Sequence, residues 1–221
     1  MAQHSRLEVF ERILETGLVP IFYHGDFELA TSIIDACIAG GATIIEFTNR
    51  GEKALEVFSQ LKKHYAKTQP ELILGIGTIT EAATAALFIA QGADFLFSPS
   101  FNPEMIKLCN RRRVASVPGC ATVSEINAAE ELGAEIIKVF PGDVIRPEGI
   151  KAILGPCPRS LLMPTGGVDA SQESIHGWFK AGACAVGLGS KLIKKEDIEA
   201  KNFAAITERC KQVLGWIKEV K

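Results

Sequence analysis

A glycine followed within two residues by a small residue recurs four times in this chain, each time just before an apolar run. The four occurrences are Ala39-Gly40-Gly41-Ala42, Gln91-Gly92-Ala93-Asp94, Leu132-Gly133-Ala134-Glu135 and Ala181-Gly182-Ala183-Cys184. Glycine commonly ends an α-helix, and the apolar runs that follow are typical of buried strands. The repetition therefore predicts a chain built from one βα unit used again and again.

Eight short runs rich in apolar and β-branched residues alternate with amphipathic stretches. The predicted strands are residues 18–23, 43–47, 72–77, 95–98, 115–117, 136–140, 160–164 and 183–188. Helix N-caps are predicted at Asp26, Thr80, Asn102, Thr122 and Ser171. Eight strands alternating with helices predict a (β/α)8 TIM barrel, with a doubly wound open sheet as the alternative. Because no linker interrupts the rhythm, residues 1–221 are expected to form a single domain.

Composition argues against several classes of partner. With 24 Lys and Arg against 26 Asp and Glu, the net charge of −2 gives no reason to expect a nucleic-acid partner or an anionic membrane. No apolar run approaches the roughly 18 residues that a membrane span needs. The six cysteines contain no C-x-x-C pair, which predicts reduced thiols in a cytoplasmic protein. The four histidines lack metal-ligand spacing, so no metal site is expected.

Two charged residues lie inside runs that should be buried. Lys138 lies in Ile136-Ile137-Lys138-Val139-Phe140-Pro141, and Glu46 lies in Thr43-Ile44-Ile45-Glu46-Phe47-Thr48. Burial lowers the pKa of a lysine and raises that of a carboxyl, which would make Lys138 an amine nucleophile and Glu46 a proton carrier. A structural ion pair is the alternative. The pair indicates covalent chemistry on a carbonyl compound.

The other polar candidates follow the predicted strands, where a barrel places its functional side chains. Arg50 follows the second strand, and its planar guanidinium suits a carboxylate. Two glycine-rich turns, Pro164-Thr165-Gly166-Gly167 and Gly187-Leu188-Gly189-Ser190, follow the seventh and eighth strands, where barrels usually bind phosphate. The sequence therefore predicts an acid, a guanidinium, a lysine and an anion site at one end of the barrel.

Taken together and in this order, the motifs resemble those of the KDPG/KHG aldolases. These are class I aldolases of the Entner–Doudoroff route that act on 2-dehydro-3-deoxy-phosphogluconate (KDPG) or 4-hydroxy-2-oxoglutarate (KHG). The resemblance covers about residues 10–215. It rests on the segments at residues 40–50, 75–78, 98–99, 118–125, 138–141 and 164–167.

The resemblance implies a role for each candidate. Lys138 matches the Schiff-base lysine and Glu46 the general acid/base, while Arg50 and Thr78 match the groups that hold the pyruvate carboxylate. The remaining substrate-binding positions, which form apolar walls, contact the substrate or cradle its phosphate, are Pro99, Phe140, Thr165, Gly166, Gly167, Gly189 and Ser190. The resemblance also implies a homotrimer, with no metal and no cofactor beyond the covalent imine on Lys138.

The expected function is cleavage of KDPG, a phosphorylated 2-keto-3-deoxy sugar acid, to pyruvate and glyceraldehyde 3-phosphate. Two other substrates share the pyruvyl half and stay open: KHG and 2-dehydro-3-deoxy-6-phosphogalactonate. A non-catalytic phosphosugar-binding barrel is the alternative outside the enzyme class. The buried lysine argues against it, because binding alone needs no buried amine.

Overall fold

The computed structural model describes residues 2–221, which contain nine strands and ten helices. The strands are β1 (Leu18–Phe22), β2 (Ile44–Thr48), β3 (Ile73–Gly77), β4 (Phe95–Phe97), β5 (Ala115–Val117), β6 (Gly119–Cys120), β7 (Ile137–Val139), β8 (Leu162–Pro164) and β9 (Val186–Leu188). The helices are α1 (Arg6–Thr16), α2 (Phe27–Ala39), α3 (Ala54–Thr68), α4 (Ala82–Ala90), α5 (Pro103–Arg112), α6 (Val123–Glu131), α7 (Gly142–Leu154), α8 (Gln172–Lys180), α9 (Lys195–Glu199) and α10 (Phe203–Val220). All eight predicted strands are present.

The strands form a parallel sheet that closes on itself. Six of them pair in the order β5-β4-β3-β2-β1-β9, and three pair in the order β6-β7-β8. β5 and β6 are two parts of the fifth barrel strand, interrupted at Pro118, which has no N–H for the ladder. The seam between β8 and β9 is closed by a hydrogen bond from Cys184 N to Leu162 O (2.9 Å) and by a bridge between Thr165 and Gly187. The predicted (β/α)8 barrel is confirmed, and the open-sheet alternative is wrong.

The barrel interior takes every second residue of a strand, because successive side chains point to opposite faces. Ile44, Ile73 and Ile136, all at or beside strand starts, share one buried cluster inside the barrel. Ile45 and Leu74 belong to a second cluster, which lies between the strands and the helices. A residue two positions after Ile44 or Ile136 therefore points inward, one layer nearer the carboxyl ends of the strands.

Helix α1 covers the amino-terminal end of the barrel. Its residues Val9, Phe10 and Ile13 are buried in the same interior cluster as the strand-start residues. Ser5 and Glu8 form a capping box at its start. This helix was not among the sequence predictions. With one end covered by α1, the carboxyl ends of the strands form the face that can admit a ligand.

Four of the five predicted helix caps are confirmed. In each, the side chain accepts a hydrogen bond from a backbone N–H of the first turn; the four residues are Asp26, Asn102, Thr122 and Ser171. The prediction for Thr80 is wrong, because α4 begins one residue later, after Glu81. The carbonyl of Thr80 instead accepts a hydrogen bond from Asn102 Nδ2 (2.9 Å). Among residues 2–221, no helix has both the length and the apolar character to cross a bilayer.

Candidate active site

The two charged residues predicted inside strands lie on the inward face of the barrel. Lys138 in β7 follows Ile136 by two positions, and Glu46 in β2 follows Ile44 by two positions. Both side chains therefore lie one layer closer to the carboxyl ends of the strands than the apolar interior cluster. Lys138 is 5% exposed, and Glu46 is 0% exposed.

Aromatic rings flank the amine of Lys138. Its Nζ lies 5.7 Å from the ring centroid of Phe97 and 5.4 Å from that of Phe140. Burial lowers the pKa of Lys138 because it removes water from the ammonium; the carboxylate of Glu46 opposes this shift, and the guanidinium of Arg50 adds to it. The amine is thus neutral, and nucleophilic, more often than that of a lysine in water.

Glu46 has no polar partner among residues 2–221. Neither of its carboxyl oxygens accepts or donates a hydrogen bond there, and no salt bridge within 4.0 Å joins it to Lys138. Burial raises the pKa of Glu46, while the cations of Lys138 and Arg50 partly offset this shift. A carboxyl whose pKa is raised can give up and take back a proton closer to neutral pH. The structural ion pair considered as an alternative is not formed.

The carboxylate of Glu46 packs directly against Gly77, the last residue of β3. A Cβ on Gly77 would lie 2.9 Å from Glu46 Cγ and closer still to Cδ and Oε1. Ordinary carbon contacts are about 3.5–4.0 Å. No residue larger than glycine fits at position 77 unless the carboxylate moves.

The strand ends beside Glu46 carry two further predicted residues. Arg50 lies two positions past β2, is exposed, and donates its backbone N–H to Thr48 O (3.0 Å). Thr78 directly follows β3 and has a φ of +60°. A left-handed conformation is rare for a β-branched residue and costs about 1–3 kcal/mol. Such strain is found most often at ligand-binding and catalytic positions.

A cavity of about 830 Å³ opens at this end of the barrel. Seven of the predicted site residues line it: Arg50, Phe140, Thr165, Gly166, Gly167, Gly189 and Ser190. Lys138 and Glu46 are not among the lining residues, but Lys138 Nζ lies 5.4 Å from the ring centroid of Phe140, which does line the cavity. Thr78 and Pro99 follow strands at the same end of the barrel, but the structure does not bring them into the cavity lining.

The two glycine-rich turns present unused backbone donors to the cavity. The N–H groups of Gly166, Gly167 and Ser190 donate to no other group among residues 2–221. Gly166 and Gly167 have φ values of +83° and +66°, which glycine adopts without the steric cost that other residues meet. The first turn is held against α7 by a hydrogen bond from Gly142 N to Thr165 O (2.9 Å). Such groups of backbone N–H donors can bind an anion.

Several cavity residues were not predicted from the sequence: Tyr23, Asp143, Arg146, Trp178, Lys191 and Lys195. Arg146 has φ +59° and ψ 170° in the middle of α7. The dipeptide Arg146-Pro147 could have indicated a break in the helix, because a residue before proline is disfavoured in the helical region. Within residues 2–221, no three His, Cys, Asp or Glu side chains are grouped so that they could hold a metal ion.

Comparison with known proteins identifies the family. The model of the family described as KDPG and KHG aldolase matches residues 9–209. The chain is 33% identical over 199 residues to the 2-dehydro-3-deoxy-phosphogluconate aldolase of Pseudoalteromonas atlantica, covering 90% of both proteins. It is 30% identical over 210 residues to the KHG/KDPG aldolase of Escherichia coli, covering 94% of this chain and 96% of that protein.

A solved structure agrees with these relatives. The KDPG aldolase of Legionella pneumophila, crystallised with pyruvate captured at low pH as a covalent carbinolamine intermediate, superposes with a TM-score of 0.82. It is 27% identical in sequence, and the match covers 91% of this chain and 96% of the other. Since the family model and these relatives align along nearly the whole chain, this protein belongs to the KDPG and KHG aldolase family.

Proposed function

We propose that this protein is a class I aldolase that cleaves KDPG to pyruvate and glyceraldehyde 3-phosphate. The observation that carries the proposal is the inward-facing pair of Lys138, whose pKa is lowered by burial, and Glu46, whose carboxyl has no partner among residues 2–221. A lysine in this state can form an imine with a ketone, and a nearby carboxyl can move the protons that the reaction requires. The family membership and the names of the relatives support the same reaction.

The proposed reaction begins with attack of the neutral Lys138 amine on the C2 ketone. The carbinolamine takes a proton from Glu46 and loses water, which gives a protonated imine. Glu46, now a carboxylate, takes the proton of the C4 hydroxyl. The C3–C4 bond breaks, its electron pair moves into the imine to form an enamine, and the aldehyde leaves. Glu46 returns the proton to C3; water then adds to the protonated imine, Glu46 takes up the proton released, and pyruvate leaves as the neutral amine is regenerated.

The imine is the electron sink, so the reaction needs neither a metal nor an organic cofactor. The second product, the aldehyde glyceraldehyde 3-phosphate, carries the phosphate, which lies at the end of the substrate far from the carbon bound to Lys138. This division of the substrate assigns the pyruvyl half to the buried end of the site and the phosphate to the glycine-rich turns.

In the pyruvyl half, Arg50 would bind the substrate carboxylate at the cavity rim, with Thr78 beside it. Arg50 is close enough to influence the pKa of both Glu46 and Lys138, which supports a place near the reacting carbon. Phe140 and Pro99 would form apolar walls. The strained φ of Thr78 supports a functional role for that residue.

In the phosphate half, the free N–H groups of Gly166, Gly167 and Ser190, with Gly189 between the strand and Ser190, would bind the phosphate oxygens. The hydroxyl of Thr165 would contact the substrate between the two halves. Its Oγ1 is buried and makes no hydrogen bond to another of residues 2–221.

Pyruvate release from KDPG tests the proposal. The natural chain should release pyruvate, whereas Lys138→Met should abolish release and Glu46→Gln should slow it by about 10²–10⁴-fold, the usual worth of a positioned acid/base. Lys151→Met is the matched control, because Lys151 is exposed on α7 and does not line the cavity. Pyruvate release by the Lys138→Met protein at the natural rate would refute the proposal.

Steady-state rates on three substrates distinguish the alternatives. The glycine-rich anion site supports a phosphorylated substrate, so kcat/KM should be higher for KDPG than for KHG, which lacks a phosphate. Comparison of KDPG with 2-dehydro-3-deoxy-6-phosphogalactonate measures the stereochemical preference. If none of the three releases pyruvate, the protein is a phosphosugar-binding barrel without turnover.

We also infer that the chain acts as a homotrimer of single-domain subunits in the cytoplasm. The family match over residues 9–209 supports one aldolase domain. Six free thiols support a reducing compartment. Sedimentation analysis should give three times the chain mass of 23.8 kDa. A monomeric mass at working concentration would contradict the trimer.

A further inference from the structure

Helix α7 is broken at one residue, and that residue lines the cavity. Arg146 has φ +59° and ψ 170°, a combination that almost only glycine adopts. Pro147 explains part of the break, because the residue before a proline avoids the helical region. Pre-proline residues nevertheless normally keep a negative φ. Pro147 therefore accounts for the break but leaves the positive φ of Arg146 unexplained.

Arg146 is also a free cation in the cavity. Four cationic side chains line this space: Arg50, Arg146, Lys191 and Lys195. Lys191 pairs with Asp169 at 3.0 Å, and Lys195 pairs with Glu199 at 3.3 Å. Arg146 forms no ion pair within 4.0 Å among residues 2–221. Arg50 and Arg146 are thus the two of these four cations without a carboxylate partner, and with Arg50 assigned to the substrate carboxylate, Arg146 is the unpaired cation available to a second anionic group.

The position of Arg146 relates it to the proposed phosphate site. Gly142 and Asp143, at the start of the same helix, pack against the turn at residues 165–167, and a Cβ on Gly166 would lie 2.8 Å from Asp143 Oδ2. The carboxylate of Asp143 therefore lies beside the backbone donors of this turn. A negative charge there opposes the binding of an anion, and the guanidinium of Arg146, also on α7, would offset it.

We propose that Arg146 determines specificity for a phosphorylated substrate by binding its distal phosphate. This inference rests on the proposed aldolase function and adds one residue to it. The planar guanidinium donates two parallel hydrogen bonds to phosphate oxygens and complements the N–H groups of the glycine-rich turns. The unusual backbone of Arg146 holds the residue at the cavity, so the strain of its positive φ serves substrate binding.

The test compares variants of the whole chain in two assays. The first measures kcat and KM on KDPG, on its unphosphorylated counterpart 2-dehydro-3-deoxygluconate, and on KHG, whose distal group is a carboxylate. The second measures binding of inorganic phosphate by calorimetry, which does not depend on turnover. The variants are Arg146→Gln, Arg146→Lys, Arg146→Gly and Asp143→Asn.

Arg146→Gln should raise KM for KDPG about tenfold and weaken inorganic phosphate to the same extent, with kcat changed by less than about threefold. Rates on the unphosphorylated compound should not change. Arg146→Lys should restore part of the affinity, and Asp143→Asn should bind phosphate more tightly because a repulsive charge is removed. An increase in KM for KHG as large as that for KDPG would show that Arg146 binds any distal anion, and it would overturn the proposed specificity for phosphate.

Arg113 provides a matched control. It is a second exposed arginine with positive φ (+57°), and it does not line the cavity. Arg146→Gly and Arg113→Gly should both raise Tm by about 2–4 °C, because glycine relieves the backbone strain. Only the Arg146 variant should lose phosphate affinity.

Two failures are distinguishable. Phosphate binding and KM that stay within about twofold in Arg146→Gln, in an enzyme that releases pyruvate, would overturn the role of Arg146 and leave the aldolase intact. Absence of pyruvate release from every substrate would refute the proposed aldolase activity. The binding of inorganic phosphate to the Arg146 variants would then still support or overturn the contact between Arg146 and an anion.

Discussion

Replacement of Gly77 by alanine tests whether the position of the Glu46 carboxylate matters to the reaction. The new Cβ would lie 2.9 Å from Glu46 Cγ and closer to Cδ and Oε1, where contacts of about 3.5–4.0 Å are normal. The carboxylate must therefore withdraw by about 1 Å or more. A misplacement of about 1 Å can cost roughly 10²-fold in rate, which corresponds to about 2.7 kcal/mol of transition-state free energy.

The assay is kcat for pyruvate release, measured together with the free energy of unfolding in urea. Overpacking of a buried site costs about 1–3 kcal/mol, so Gly77→Ala should unfold at lower urea concentration but still fold. Lys138 is untouched, and the amine should still react with pyruvate. The expected pattern is a large loss in kcat with slower imine formation, because Glu46 also donates the proton with which the carbinolamine loses water, whereas the final yield of imine on Lys138 is retained.

Gly215→Ala is the control, since Gly215 lies inside α10 and a Cβ there meets nothing within 4 Å. It should leave kcat unchanged and stabilise the protein by up to about 1 kcal/mol, because alanine favours a helix over glycine. A folded Gly77→Ala protein with kcat within about threefold of the natural chain would refute the reasoning. Glu46 would then not be the proton carrier, or its position would not depend on Gly77.

Three further outcomes follow from the charges. The reactivity of Lys138 toward an amine-directed reagent should rise with pH, with a midpoint below the usual pKa of a lysine. Arg50→Gln should move this midpoint to higher pH, because Arg50 lowers the pKa of Lys138. Glu46→Gln should move it to lower pH, because Glu46 raises that pKa. The same midpoint in the natural chain and both variants would show that Arg50 and Glu46 do not influence the pKa of Lys138. Asp94→Ala should reduce the free energy of unfolding by about 3–5 kcal/mol, because it leaves the buried ammonium of Lys62, now 2.6 Å from Asp94 Oδ2, without a partner. Urea titration measures this change. A loss below about 1 kcal/mol, as for an exposed pair, would contradict the burial of this ion pair. A chelator should leave pyruvate release unchanged, and activity lost with chelator and restored by magnesium would indicate a metal-dependent mechanism.

The position of the proposed catalytic pair could be predicted because it depends on simple periodicity. Residues alternate faces along a strand, so a charge two positions from an isoleucine of the interior cluster must also point inward. Lys138 and Glu46 follow this rule, and parallel strands place their carboxyl ends at one edge. The glycine-rich turns could be predicted for the same reason, because their order along the chain fixes their place around the barrel.

Other features depend on contacts that the sequence does not display. Helix α1 was not predicted because only three of its side chains are buried and they lie among charged residues. Its capping box, Ser5 with Glu8, could have indicated the start of a helix. Arg146 was missed because its conformation contradicts the local rule: a residue before proline should have negative φ, and here it does not. The break of the fifth strand at Pro118, by contrast, follows from the missing N–H of proline.

Reduction of the protein with borohydride in the presence of pyruvate tests the central claim most directly. The proposed mechanism predicts one covalent pyruvyl adduct per chain, on Lys138, and none on Lys62, which is also buried but is paired with Asp94. Peptide mass mapping locates the adduct, and Lys138→Met should give none. An adduct on a different lysine, or no adduct in a protein that still releases pyruvate from KDPG, would contradict the claim that Lys138 forms the imine.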